Sequence, residues 1–313
     1  MDNTNNSSKK TIIGDTPIYK MYYGDKPIYN ILGSEYVTKF VVPDGLKFQY
    51  STITTIPDNI DFSETIDGSG LFYSCKNLTE AKIDCKNMNT IKQTFGYCSG
   101  ITKVELLNTE NVTSMVELFR DCNNLEEINY FETSACTNMY GMFCNYTYSR
   151  AKLKQIPKFN TSNVTNFSTF ARYAVALEEF PEIDTSKAIS IWHMISSCNE
   201  LKKVPLLDFS SVKNRSSDDY QYFLYYCGNL TDVGGFLNLG KSFEGKNNTT
   251  INIKYNQQLT PESVYNIANT IYDMTTNSNY TGQATLNMDK VVIDRVPEET
   301  LSMFTTKGWI ISV

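Results

Sequence analysis

A chain of 313 residues with 41% hydrophobic and 20% charged residues can bury a substantial core, which excludes an intrinsically disordered protein. Its formal net charge of −6 argues against a nucleic-acid binder, because neutralising phosphates needs a basic stripe and the sequence has none. No segment reaches the roughly 18 apolar residues of a membrane span. The opening MDNTNNSSKKTIIGD has no apolar run after its lysine pair, so neither membrane insertion nor a secretory signal is expected.

Residues 1–10 are small, polar and lysine-tipped, and read as a flexible tail. The segment 11–45 then carries a ten-residue repeat: Gly14-Asp15-Thr16-Pro17-Ile18-Tyr19 is followed by Gly24-Asp25-Lys26-Pro27-Ile28-Tyr29. Each copy predicts a Gly-Asp turn feeding a short strand, with Pro17 and Pro27 at strand starts where a missing N–H is tolerated. This N-terminal β segment is either a cap over the first solenoid turn or a set of docking strands, and it is the candidate for self-association.

From about residue 46 a longer period begins. The apolar anchors Phe48, Phe72, Phe95, Phe119, Phe143, Phe170, Ile195 and Leu224 lie 23 to 29 residues apart, the leucine-rich-repeat range. After the anchors come phrases such as Leu78/Ala81/Ile83, Ile101/Val104/Leu106 and Leu201/Val204/Leu206, whose final alternation predicts a short strand. Before the anchors the apolar residues step by three and four (Val112, Met115, Phe119, Cys122; Val164, Phe167, Phe170, Ala174), which predicts a short helix. Polar phrases such as Asn160-Thr161-Ser162 and Asp184-Thr185-Ser186 supply the turn and helix cap. A unit of strand, capped turn and short helix cannot bury its apolar side alone. The expected fold is therefore an α/β leucine-rich-repeat solenoid over 46–240, with a parallel sheet on one face and short helices on the other. Insertions at Tyr146–Ala151 and Asn214–Tyr220 should bulge outward.

Past residue 241 the pattern changes. A polar linker over Lys241–Thr250 leads to a helix that Thr260-Pro261 should open and that should run to about Met274. A strand at Ala284–Met288, a helix from Pro297 to Lys307 stopped by Gly308, and a last strand Trp309–Val313 complete an α/β C-terminal cap over 241–313.

Of the eight cysteines, Cys75, Cys98, Cys122, Cys198 and Cys227 each fall three residues after an anchor. They read as small buried hydrophobes in the reduced form; disulfides or a metal site are the alternative, although no Cys-x-x-Cys pair is present. The phrases LKQIPKFNTSNVTNFSTF, LEEFPEIDTSKAISIWHMISSC and VTSMVELFRDCNNLEEI resemble the BspA-like leucine-rich-repeat family, with its turn, anchor and Cys-x-x-Leu junction recurring together. The resemblance covers about residues 46–240, with Tyr146 and Tyr173 or Ala174 in place of Cys and Ile195 in place of Phe. The C-terminal segment resembles tails that follow such repeats in gut bacteria and their phages, and the Gly-Asp-x-Pro-Ile-Tyr repeat resembles segments of phage structural proteins. The resemblance implies adhesion and protein recognition at cell or virion surfaces.

Catalytic chemistry finds little footing. The single histidine, His193, sits between Trp192 and Met194 with no acid at helical spacing to orient it, and is expected to be structural or exposed. Val233-Gly234-Gly235 opens no phosphate loop, and Asp218-Asp219 reads as a solvated pair more readily than a cation site. No cofactor is expected. The residues between strand anchors are Glu80, Lys103, Glu126/Glu127, Lys154, Glu178/Glu179, Lys202/Lys203 and Asp232, whose sign alternates from unit to unit. Stacked about 4.8 Å apart they would form a ladder, with Glu80, Lys103, Glu127, Lys154, Glu179, Lys203 and Asp232 as rungs that set register or bind a ligand.

These observations point to a non-enzymatic phage virion component, a tail, fibre or head-surface protein whose partners are other virion proteins or a host surface receptor. A bacterial cell-surface adhesin is the alternative, and a carbohydrate-active enzyme, which would need paired carboxylates in a cleft, is a distant third.

Overall fold

The computed structural model describes residues 9–13, 16–20, 22–23, 26–27, 40–58, 60–146 and 151–313. Most of the expected tail lies outside the described residues, but its last two residues belong to a strand, Lys9–Ile13, which pairs antiparallel with Thr16–Lys20. Tyr22–Tyr23 pairs antiparallel with Lys26–Pro27. Of the ten-residue repeat, Thr16–Lys20, Tyr22–Tyr23 and Lys26–Pro27 lie in these strands, with Pro17 and Pro27 inside them; its Gly-Asp turns and residues 28–33 lie outside the described residues.

From Phe40 onward all strand pairing is parallel among the described residues. Glu80–Asp84, Lys103–Leu107 and Glu127–Ile128 pair side by side, and Lys203–Val204 pairs with Asp232–Val233. In Glu80–Asp84 exposed Glu80, Lys82 and Asp84 alternate with buried Ala81 and Ile83, so one face of the strand meets water and the other the core. A second row of parallel bridges runs Asp67, Thr90, Ser114, Asn138, Asn166, Ser190 along the opposite side of the chain. Each unit thus stacks on the next at two places.

Among the described residues of these units the expected helices on that opposite side are absent, apart from one turn at Ser217–Tyr220. The apolar steps of three have another cause. Val112 N donates to Thr109 O, Leu118 N to Met115 O, Cys122 N to Phe119 O and Leu125 N to Cys122 O, so the chain runs as consecutive tight turns closed over three residues. Between them residues sit in the left-handed region, as at Gln93 and Tyr97 (φ 52° and 63°) and at Glu117 and Asp121 (φ 52° and 55°). Each non-glycine residue held there costs about 1–2 kcal/mol and prevents a helix from propagating. Bonds to the next unit offset that cost: Gln93 N to Val116 O at 2.8 Å and Tyr97 N to Arg120 O at 2.7 Å. The strain is thus tolerated only because the units stack.

The polar phrases form the corners. Asp184 Oδ1 accepts from Ser186 N and Asp208 Oδ1 from Ser210 N, the side-chain turn that Asp followed by Ser favours. Threonine hydroxyls tie corner to corner: Thr109 donates to Glu132 O, Thr133 to Asn160 O and Thr161 to Asp184 O, at 2.6–2.7 Å.

One apolar core runs from Val42 to Trp309. Its spine is a column of rings: Phe48, Phe72, Phe95, Phe119 and Phe143 stack with centroids 5.3–5.9 Å apart and planes within 20° of parallel. Each neighbouring pair adds about 0.5–1.5 kcal/mol beyond burial. In the next unit the anchor is Ala171, not Phe170, because Ala171 N donates to Met194 O as Phe119 N does to Met142 O. Phe170 instead turns its edge to Phe143 at 5.3 Å, and Phe159 stacks on Phe143 at 6.5 Å. Two displaced rings fill the space that an in-register ring would take.

Of the first insertion only the flanks are described, and the second is exposed at Arg215 and Ser216 but turns back into the core at its end. Tyr146 is half-buried, Ala151 is buried, and the residues between them lie outside the described residues. The 214–220 insertion ends with Asp219 and Tyr220 buried, Tyr220 packing 5.9 Å from Phe243. Nor is 241–250 a free linker: Phe243 is fully buried and Ser242 Oγ donates to Ser210 O.

Parallel pairing continues into the C-terminal region, where Thr249–Asn252, Ala284–Asn287 and Trp309–Ser312 form a three-stranded sheet. On the strand face a helix, Pro261–Thr270, replaces the next strand. Thr260 caps it through Ser263 N, and it closes the open edge: Val233 N donates to Ser263 Oγ and Phe236 N to Thr270 Oγ1. A helix at Glu298–Thr306 follows, and Gly308 (φ 74°) turns the chain into the last strand.

Candidate functional site

Two long surfaces result, one on each side of the stack. On the strand face Glu80, Lys103 and Glu127 are direct register partners, as are Glu179, Lys203 and Asp232. Lys103 Nζ lies 3.0 Å from Glu127 Oε2, and the hydrogen bond and charge of Glu127 raise the Lys103 pKa. Lys154 is not in that column. Glu178 N donates to Lys154 O just as Glu126 N donates to Thr102 O and Lys202 N to Glu178 O, which puts Lys154 in the adjoining column with Glu126, Glu178 and Lys202. There it pairs with Glu178 at 3.3 Å, while Lys152 reaches Glu126 at 3.2 Å. Gln155 takes its place in the first column, so sign alternation is split between two neighbouring columns. Further pairs, Lys82 with Glu105 and Lys158 with Glu182, at 2.9 and 2.8 Å, compensate this face along its length. The side chains of all these pairs are exposed, and pairs of this kind add only about 0–1 kcal/mol each.

The turn face is of another composition. The left-handed residues and their neighbours project rings and guanidinium groups outward, and these touch from unit to unit. Tyr50 meets Tyr73 at 5.7 Å and Tyr73 meets Tyr97 at 5.3 Å. Arg120 lies between Tyr97 and Tyr146, at 5.0 and 4.6 Å. Arg172 lies over Tyr146 and Trp192, each at 5.7 Å. Trp192 contacts His193 at 4.7 Å, His193 stacks on Tyr222 at 5.2 Å, Tyr222 meets Tyr225 at 4.9 Å and Tyr225 meets Tyr255 at 5.2 Å. An unbroken ribbon of rings and two arginines therefore runs from Tyr50 to Tyr255, with Tyr50, Tyr226 and Tyr255 well exposed.

The electrostatics of the ribbon follow from partial burial. Burial works against the charge of Arg120, but the hydrogen bond and charge of Glu117 outweigh it and hold its pKa above the usual arginine value. Burial, helped by the charge of Arg172, lowers the His193 pKa to about 4, so the ring is neutral at pH 7. Its Nδ1 lies 3.0 Å from Ser196 Oγ. Burial and the neighbouring Tyr255 push the Tyr225 hydroxyl up to about 12. None of these groups is poised as an acid or base near neutrality.

Asp219 of the expected acidic pair accepts from Ser216 N and faces Arg215 at 3.6 Å, a local cap. The eight cysteines are free and buried. Cys75, Cys98 and Cys122 each donate to the anchor carbonyl of the preceding unit, Phe48, Phe72 and Phe95, at 3.0 Å.

Comparison with known proteins places the repeat. The family described as "Mycoplasma protein of unknown function, DUF285" matches residues 48–147 and 86–209, together just over half of the chain. The chain belongs to the DUF285 family. The match supports the BspA-like repeat group that the turn, anchor and Cys-x-x-Leu phrases resemble. A leucine-rich repeat protein from Bacteroides ovatus ATCC 8483 is similar at 13% identity over 100% of both chains, with a TM-score of 0.22, too low to carry an argument. No curated protein matches the chain. The DUF285 units here hold both the strand columns and most of the turn-face ribbon. Recurring tyrosines at the first and second positions after the anchor (Tyr50, Tyr73, Tyr97, Tyr173, Tyr225, Tyr226) are the sequence signal for that ribbon, and aligning only apolar positions passes over it.

Proposed function

We propose that this chain is a non-enzymatic recognition protein, a leucine-rich-repeat solenoid that binds a protein partner through its turn face. The observation that carries the reading is the ribbon from Tyr50 to Tyr255. Tyrosine, tryptophan and arginine are the residues that dominate protein–protein binding energy, because each offers a large contact area with a polar end. The strand face, where lysines and glutamates neutralise one another, is the composition that interface cores avoid. Partial burial of the rings between their neighbours holds them in place, so less side-chain freedom is lost on binding.

The setting we propose is a phage virion, where the partner is another virion protein or a host surface receptor. Support for it is the likeness of the N-terminal Gly-Asp-x-Pro-Ile-Tyr repeat to phage structural proteins. The second reading is a bacterial cell-surface adhesin, and its support is the likeness of the turn, anchor and Cys-x-x-Leu phrases to the BspA-like family. Mass-spectrometric identification of this chain's peptides separates the two. Recovery in purified virions in step with the capsid proteins supports the first, and recovery only in the bacterial envelope fraction replaces it with the second.

A further inference from the structure

The two sides of the stack end differently. On the strand face the helix Pro261–Thr270 covers the last strand. On the opposite side the stack ends at Trp309–Ser312, which pairs with Ala284–Asn287 and, among the described residues, with no strand on its other side. Natural sheets commonly blunt such an edge with proline or lysine. The sequence Trp309-Ile310-Ile311-Ser312-Val313 has neither, and Ile310 and Val313 are exposed. Met288 N donates to Ser312 O, so Ser312 turns its backbone groups toward the paired neighbour and Ile311, by alternation, turns its own to the open side. Beside that edge lies a groove of about 510 Å³ walled by Ile293, Leu301, Ile310, Ile311, Val313 and Glu298.

The other end of the chain holds a strand that fits this edge. Among the described residues Lys9–Ile13 and Thr16–Lys20 pair only with each other, and a two-stranded hairpin by itself is marginal in water. Its register sets Ile12 opposite Pro17. Residues directly opposite in an antiparallel pair either exchange two hydrogen bonds or turn their backbone groups outward. Pro17 has no N–H to exchange, so this pair is of the outward kind. The outer edge of Thr16–Lys20 therefore lacks a donor at Pro17, whereas Lys9–Ile13 presents a complete one that includes the Ile12 N–H. Charge is complementary as well: residues 9–20 hold Lys9, Lys10 and Lys20 against Asp15, and Glu298 and Glu299 open the helix beside the groove.

We propose that Lys9–Ile13 of one copy of this chain adds to the open edge of Trp309–Ser312 of a second copy, joining the two solenoids head to tail. The same contact within one chain would run the length of the stack. The row from Phe48 through Leu224 to Trp309–Ser312 takes ten steps of about 4.8 Å, about 48 Å in all. Residues 28–39, which tether the hairpins to the stack, reach only about 43 Å when drawn straight, an extension that costs chain entropy and that a second copy makes unnecessary. Every copy keeps one donor strand and one open edge, so the contact is heterologous and propagates into a filament or closes into a ring. It is separate from recognition by the turn face and stands or falls without it.

Analytical ultracentrifugation of the full chain between about 1 and 100 μM should show a mass that rises beyond the dimer. Ile12→Pro removes the outward N–H of the donor strand and leaves the hairpin's own ladder intact. Ile311→Pro removes the outward N–H of the receiving edge, and its fold is checked by thermal melting. Each variant alone should be monomeric. Mixed in equal amounts they should form a dimer and nothing larger, because the first keeps an intact edge and the second an intact strand. Glu298→Lys with Glu299→Lys, on the surface, should weaken association by about 10-fold, and takes the place of Ile311→Pro in the mixture if that variant does not fold. The proposal is overturned if the wild type stays monomeric up to about 100 μM, the result that an open edge covered within one chain would give. It is also overturned if Ile12→Pro assembles like the wild type, which would point to pairing between two Trp309–Ser312 edges, or if the mixture of folded variants forms no dimer.

Discussion

Cys98 Sγ lies 3.0 Å from the carbonyl oxygen of Phe72, so a thiol of one unit donates to the backbone of the unit before it. Cys198 repeats the contact with Ala171 O at 3.1 Å. Burial raises these thiols, Cys75 to about 11, and their neighbours drive Cys98, Cys122 and Cys198 further in the same direction. A buried thiol that is protonated at neutral pH is a poor nucleophile. Titration with a thiol-reactive chromogen should therefore find no fast-reacting cysteine in the native chain at pH 8 and all eight after unfolding in guanidinium.

The ring spine makes the middle of the stack intolerant of truncation. Phe95→Ala removes a ring held between Phe72 and Phe119, both 5.9 Å away, and should cost about 3–5 kcal/mol in urea unfolding. Ala171→Phe restores the commonest anchor residue and should still destabilise, by about 1–3 kcal/mol, because Phe159 and Phe170 already fill that space.

Charge reversal on the strand face should act through register. Lys103→Glu places like charges beside Glu80 and Glu127, and should lower the melting temperature. Adding Glu80→Lys and Glu127→Lys should recover most of the loss. The whole effect should shrink in about 1 M salt, where charges are screened beyond about 3 Å. Independent, additive shifts in this cycle would show that the column has no role in stacking.

His193 gives the fold a pH dependence with a defined sign. Its pKa is about 4 in the folded chain, against 6.5 for the free side chain, so between these values the unfolded chain binds more protons. The stability it contributes is present above pH 6.5 and is lost as pH falls toward 4. His193→Gln, a residue that Gln93 shows to be acceptable at this position with φ 52°, should flatten the melting temperature over that window.

Much of this was legible in the sequence. The spacing of Phe72, Phe95 and Phe119 marks the stacking period directly, since a residue that stacks on its own copy must recur once per unit. Thr260-Pro261 likewise marks a helix start through local chemistry alone. Two features were not legible for a physical reason. Apolar residues three apart fit a helix and a run of three-residue turns equally well. Only the left-handed backbone at residues such as Gln93 and Glu117, stabilised by the neighbouring unit, decides for turns. The positions of Ala171 and Lys154 depend in the same way on hydrogen bonds between units. The column of Glu80, Lys103 and Glu127 needed only the repeat length.

The assignment of recognition to the turn face is tested most directly by binding labelled protein to intact bacterial cells and to purified virions from the culture that carries the gene. Two variants are compared with the wild type: Tyr225→Ser with Tyr255→Ser on the turn face, and Lys152→Glu with Lys154→Glu on the strand face. Loss of about 10-fold or more in affinity for the tyrosine variant, with the lysine variant binding normally and both folded, is the expected result. Normal binding by the tyrosine variant together with loss in the lysine variant would contradict it and move the recognition surface to the strand face.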